Sequence, residues 1–154
     1  VSQVFSADID GDSYLDIISA STRDNKIAWY KNEKNNTYSN QRIISKEVSG
    51  PTAVHAIDLN GDNNIDVISA SLADNKIAWY MNNGGGDFSE QKIISTKAEY
   101  AEFIWAADLD NDGLIDIISA SSRDDKIAWY KNNGNDSFSE QYIISTLADG
   151  AKSV

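Results

Sequence analysis

The stretch DGDSYLDIISASTRDNKIAWYKN (Asp10 to Asn32) recurs as NGDNNIDVISASLADNKIAWYMN (Asn60 to Asn82) and again as DNDGLIDIISASSRDDKIAWYKN (Asp110 to Asn132). A shift of 50 residues aligns the chain with itself twice without a gap, and 19 of the 50 columns are identical in all three copies. Fixed-period self-similarity of this length is the signature of a repeat architecture. Residues 1–50, 51–100 and 101–150 are read as three blades, and 151–154 as the opening of a fourth repeat, with Val154 in the column of Val4, Val54 and Ile104.

Each copy contains four short runs rich in β-branched and aromatic residues, separated by clusters of Asn, Asp and Gly that favour turns. In the second copy these runs are 53–58, 65–71, 76–82 and 88–95. Ile27-Ala28-Trp29-Tyr30 alternates Ile and Trp on one face with Ala and Tyr on the other, so both faces of the sheet are apolar. A sheet apolar on both sides has to be sandwiched, and a lone four-stranded unit cannot sandwich itself. Copies stacked around an axis solve this, so the predicted fold is all-β: three four-stranded antiparallel β-propeller blades. Propellers have four to eight blades. The expectation is therefore a segment of a larger closed propeller, completed by further blades of a parent chain or by a second copy closing six blades.

Between the first two strands of each copy lies an acidic loop. It runs from Asp8 to Asp16, from Asp58 to Asp66 and from Asp108 to Asp116. Side-chain oxygens fall at loop positions 1, 3, 5 and 9: Asp8, Asp10, Asp12 and Asp16; Asp58, Asn60, Asp62 and Asp66; Asp108, Asp110, Asp112 and Asp116. The backbone carbonyl at position 7 (Tyr14, Asn64 or Leu114) can add another ligand. Calcium takes six to eight oxygens in flexible geometry, whereas magnesium demands a near-ideal octahedron. One Ca2+ per repeat is the expectation. Turn propensity alone accounts for Asp, Asn and Gly, but not for an Asp at position 9 three times over, followed at once by Ile or Val. The spacing matches the first half of an EF-hand loop, yet position 12 is Ser19, Ser69 or Ser119 rather than Glu and the flanks are not helical. Eleven of the 24 acidic residues sit at these positions, and three calcium ions would bring the formal charge from −11 to −5. On carboxylate count the middle loop, with Asn60 at position 3, should release its ion first. Asn111 stands where the other loops have Gly11 and Gly61, and Asn tolerates a left-handed backbone.

This D-x-D-G-D-x-x-x-D loop, followed by Ile-Ile-Ser-Ala-Ser and Lys-Ile-Ala-Trp-Tyr, resembles the VCBS/FG-GAP repeats over the whole chain. Those repeats form β-propellers in integrin α-subunit heads, in some lectins and in many secreted or surface proteins of microbes, and their loops bind calcium. The resemblance implies the same role for the positions named above and a secreted or cell-surface setting. The Phe-Gly and Gly-Ala-Pro elements are absent, which makes the VCBS branch the closer match.

The remaining composition narrows the function. A formal charge of −11 argues against nucleic acid, which needs clustered Lys and Arg. The absence of cysteine excludes a disulfide scaffold, a thiolate zinc site and a Cys nucleophile, and the lone histidine, His55, argues against a Ser-His-Asp triad. No apolar run is long enough for a membrane-spanning helix. No paired carboxylates stand apart from the acidic loops, so no enzyme is expected.

Trp29, Trp79 and Trp129 share a column suited to packing between blades. Trp105, in the column of Phe5 and His55, reads as core or channel lining. Lys26, Lys76 and Lys126 read as solvated turn residues. Asn35-Asn36-Thr37 and Asn135-Asp136-Ser137 are glycosylation sequons, with Asn35 and Asn135 as acceptors in a secreted eukaryotic setting. The leading expectation is a calcium-binding extracellular propeller segment that contacts proteins or glycans. A lectin, or an accessory part of a larger secreted enzyme, is the alternative.

Overall fold

The computed structural model describes residues 1–153; Val154 lies outside them, and with it the alignment that opens the fourth copy. Among the described residues there are twelve strands and no helix. In the first copy they are β1 (Gln3–Ala7), β2 (Asp16–Ser21), β3 (Lys26–Tyr30) and β4 (Arg42–Ser45). The second has β5 (Pro51–Ile57), β6 (Asp66–Ser71), β7 (Lys76–Tyr80) and β8 (Lys92–Ser95). The third has β9 (Ala101–Ala107), β10 (Asp116–Ser121), β11 (Lys126–Tyr130) and β12 (Tyr142–Ser145). Each set pairs in sequence order as one antiparallel sheet. The last strand of each copy is shorter than its hydrophobic run predicts. Phe88 does not open β8; it makes an isolated bridge with Asn82, and the strand starts at Lys92.

Register explains why both faces are apolar. Phe5, Ile18, Trp29 and Arg42 lie opposite one another across the first sheet and share a face. Ile17 pairs with Tyr30 on the other face. The first face of one blade packs on the second face of the next. Ile18, Ala20, Ile27 and Trp29 meet Val54, Val67, Ala78 and Tyr80 in one core. Ile68, Ala70, Ile77 and Trp79 meet Ile104, Ile117, Ala128 and Tyr130 in the second. The sheets do not close into a ring, and the two outermost faces stay open. Val4 is 59% exposed where Val54 and Ile104 are 1%.

The innermost strands β1, β5 and β9 run side by side. Their shared column forms an aromatic stack, with the His55 ring 4.6 Å from both Phe5 and Trp105. His55 is buried there, and burial lowers its pKa. Lys76 and Lys126 are not the solvated turn residues their sequence context predicts. Each ammonium donates to a main-chain carbonyl of the preceding blade, Glu47 for Lys76 and Lys97 for Lys126, and so links consecutive sheets. Lys26, on the first blade, pairs with Asp24.

Candidate metal centre

Each acidic loop is wound around its own side chains. The position 1 carboxylate accepts backbone N–H groups from positions 5 and 6: Asp12 and Ser13 donate to Asp8 at 3.0 and 2.8 Å. Asp58 and Asp108 repeat the pattern. The position 5 carboxylate accepts the N–H of position 7, with Tyr14 on Asp12, Asn64 on Asp62 and Leu114 on Asp112. This fixes the backbone turn that carries the carbonyls of Tyr14, Asn64 and Leu114. Position 4 has a positive φ in every loop (Gly11 76°, Gly61 80°, Asn111 62°), so Asn111 takes up the left-handed conformation the turn requires.

Position 9 anchors the loop. Asp16, Asp66 and Asp116 are wholly buried. One oxygen of each accepts the N–H of position 2, and the other accepts the N–H of Asn32, Asn82 or Asn132 beyond the third strand. Burial raises the carboxyl pKa of Asp16 and lifts that of Asp66 to about 6, against backbone N–H bonds that favour the charged form. The asparagine amides complete the joint: Asn82 donates to Ile65 and to Ile9 of the preceding blade, and Asn132 to Ile115 and Leu59. Sequence reasoning passed over these asparagines, although an Asn in the same column of all three copies was visible.

In two of the loops the fold brings three of the four acidic side chains together. Carboxylate oxygens of Asp8, Asp10 and Asp16 lie within 4.8 Å of one another, as do those of Asp108, Asp110 and Asp116. Asp12 and Asp112 stand at the side, each holding a lysine. Lys31 reaches Asp10 and Asp12, and Lys131 reaches Asp110 and Asp112. These bonds, to the position 3 carboxylate above all, raise the pKa of both lysines, and the same contact lowers that of Asp12 and Asp112. In the middle loop Asn60 donates its amide to Asp62 at 3.0 Å, and Met81 stands in the lysine column. The lysines are the second feature that the sequence reading missed.

The donor set suits a hard divalent cation, since every side chain at positions 1, 3, 5 and 9 offers oxygen. One oxygen is conspicuous: Asp10 Oδ1 is buried without a hydrogen-bond partner, which is costly unless something else satisfies it. Asn35 and Asn135 are exposed, each in a turn with positive φ. Asn135 also borders a cavity of about 260 Å³ between the second and third blades, lined among others by Asn60, Asp62, Trp79, Asp136 and Phe138.

A family model described as "FG-GAP-like repeat" matches residues 8–69, 58–119 and 108–154. A comparison with curated proteins returned no match. Among solved structures, a lectin from Agrocybe aegerita, described for specific recognition of non-reducing terminal N-acetylglucosamine, superimposes with a TM-score of 0.66 at 22% identity. The alignment covers 93% of this chain and 38% of the lectin chain. At that identity the likeness is one of fold.

Proposed function

The chain belongs to the FG-GAP-like repeat family, and from that premise we propose that it is a calcium-stabilised, extracellular β-propeller segment that serves as an interaction module. Asp8, Asp10, Asp12 and Asp16 would hold one ion with the Tyr14 carbonyl. Asp58, Asn60, Asp62 and Asp66 would hold a second with Asn64, and Asp108, Asp110, Asp112 and Asp116 a third with Leu114. Calcium supplies a divalent charge that offsets carboxylate repulsion; the protein supplies the wound loop and the buried anchor at position 9. The observation that carries this reading is the convergence of three carboxylates within 4.8 Å, one of them with an orphaned buried oxygen. Family membership supports the secreted or cell-surface setting, where millimolar calcium suits sites with Kd of about 10⁻⁴–10⁻³ M. The VCBS-like loop spacing accords with it. Among the described residues no helix is long and apolar enough to cross a membrane.

The open faces define one class of partner. The face of blade 1 that exposes Val4 is equivalent to the one blade 2 presents to blade 1, and the face of blade 3 that exposes Leu109 is equivalent to the one blade 2 presents to blade 3. Either a further blade of a parent chain or a second copy of this one fits both. A second reading, a glycan-binding module, is supported by the cavity between blades 2 and 3, where Phe138 offers aromatic surface beside amides and carboxylates. The fold likeness to a lectin accords with that reading, and sequons at Asn35 and Asn135 would add glycans of the chain's own. No catalytic role is proposed.

Calorimetric titration of the metal-free chain with calcium tests the main reading. Three ions per chain are expected, with Kd values in the range above; no heat and no bound calcium at millimolar concentration would refute it.

A further inference from the structure

The acidic loops are not three equal sites, because two columns change together. Column 10 reads Asp10, Asn60, Asp110, and column 31 reads Lys31, Met81, Lys131. Where the loop gains a carboxylate at position 3 it also gains an ammonium that binds that carboxylate. Counted over loop positions 1, 3, 5 and 9 and column 31, the charge is the same in every blade: four carboxylates and one lysine in the outer two, three carboxylates and a thioether in the middle one. We infer that Lys31 and Lys131 are tethered counter-cations of the outer loops, and that the Asp58–Asp66 loop, which has none, is the tightest calcium site of the three. This rests on the calcium reading above.

The lysines are built into their sites. The N–H of Lys31 donates to Ser39 Oγ at 2.9 Å, and that of Lys131 to Ser139 Oγ at 2.9 Å. The next residue is bonded to the position 9 aspartate in every blade. The root of each lysine is thus pinned beside its loop, and the ammonium falls between positions 3 and 5 without a long search. Met81 has the same backbone tie, to Ser89 Oγ at 3.1 Å. The exchange of Lys for Met is therefore made on one scaffold.

Calcium entering an outer loop meets two carboxylates already paired with an ammonium, a full positive charge that competes with the ion for the same oxygens. It must break those bonds or share the loop with a positive charge. Calcium entering the middle loop meets Asn60, whose uncharged amide donates to the Asp62 carboxylate without bringing a positive charge into the loop and whose Oδ1 accepts the Asp62 N–H at 3.0 Å. Since the charge of these positions is equal, what separates the sites is competition for the carboxylates. The order given by carboxylate count is reversed, and the middle loop releases its ion last.

The test is a calcium titration of the ¹⁵N-labelled chain, reading the amides of Asp12 and Ser13, Asp62 and Asn63, and Asp112 and Gly113 separately. The middle loop should saturate at about three- to tenfold lower calcium, the factor two partly exposed ion pairs supply. Lys31→Met, which leaves four carboxylates without their counter-cation, should bring loop 1 to at least the affinity of the middle loop and leave loop 3 unchanged. Met81→Lys should weaken the middle loop by a similar factor and serves if the first variant folds poorly. Loops that bind calcium with the middle one weakest, or with affinities indifferent to both substitutions, overturn the inference while leaving the calcium reading intact. Loops that show no calcium response overturn both.

Discussion

The middle blade and the two that flank it follow one 50-residue pattern, with the same strands in the same register, and differ in what surrounds them. Val54 is 1% exposed and its counterpart Val4 59%; Leu59 is 3% exposed and its counterpart Leu109 42%. Trp79 is buried in a joint beneath Phe138 and Lys92, whereas Trp129 lies on an open face with Tyr142 beside it. A blade thus pairs its own four strands but obtains much of its burial from neighbours, as expected where stability is a sum of repeat and interface contributions. Identical sequence columns therefore have unequal energetic weight.

Trp79→Ala should show the largest effect, a loss of about 3–5 kcal/mol, with Trp129→Ala costing half of that or less. Chemical denaturation of both variants measures the gap. Equal losses would break the comparison and mean that the Trp129 face is covered in solution.

The position 2 residue of the acidic loop sharpens it further. Ile9 and Leu59 plug the joint to the next blade, while Leu109 has no blade to enter. Leu59→Ala should cost about 2–4 kcal/mol, and Leu109→Ala about 0.5 kcal/mol or less. Because an asparagine of the next blade also bonds the position 2 carbonyl, Leu59→Ala should in addition weaken calcium at its own loop.

His55 separates the middle blade in a third way, and by the smallest margin. Burial lowers its pKa in the folded chain, so the unfolded chain takes up the proton first as pH falls. The stability it supports is full above about 6.5, the ordinary histidine value, and is lost as pH falls through the lower folded value. His55→Phe, which copies Phe5, should flatten that part of the profile. Melts at pH 7.5 and 5.5 under saturating calcium read the difference between the two proteins; identical profiles would mean the imidazole accepts its proton in place.

Most of the fold was legible because its determinants are local. Alternation in Ile27-Ala28-Trp29-Tyr30 sets both faces of a strand, and Asp, Asn and Gly at fixed offsets set the loop. The start of β8 was misread because Phe88 is apolar for a different reason: it packs against the joint from a loop. The ties of Asn82 to Ile9 and of Lys76 to Glu47 cross between blades, 73 and 29 residues away. No local pattern encodes such reach. The lysine beside the outer loops is 21 residues from its partner, yet its trace was present, since column 31 loses its charge in the same copy in which column 10 does.

Thermal unfolding of the whole chain with and without calcium tests the central claim, that the acidic loops are ion-held joints. At calcium about tenfold above Kd each filled loop adds about 1.4 kcal/mol, so three together should raise Tm by roughly 10 °C over the chelated chain. Chelation should remove that increment and excess calcium should restore it, with magnesium at equal concentration restoring much less. A Tm that is the same in chelator and in saturating calcium would contradict the account and leave the loops as turns held by their own hydrogen bonds.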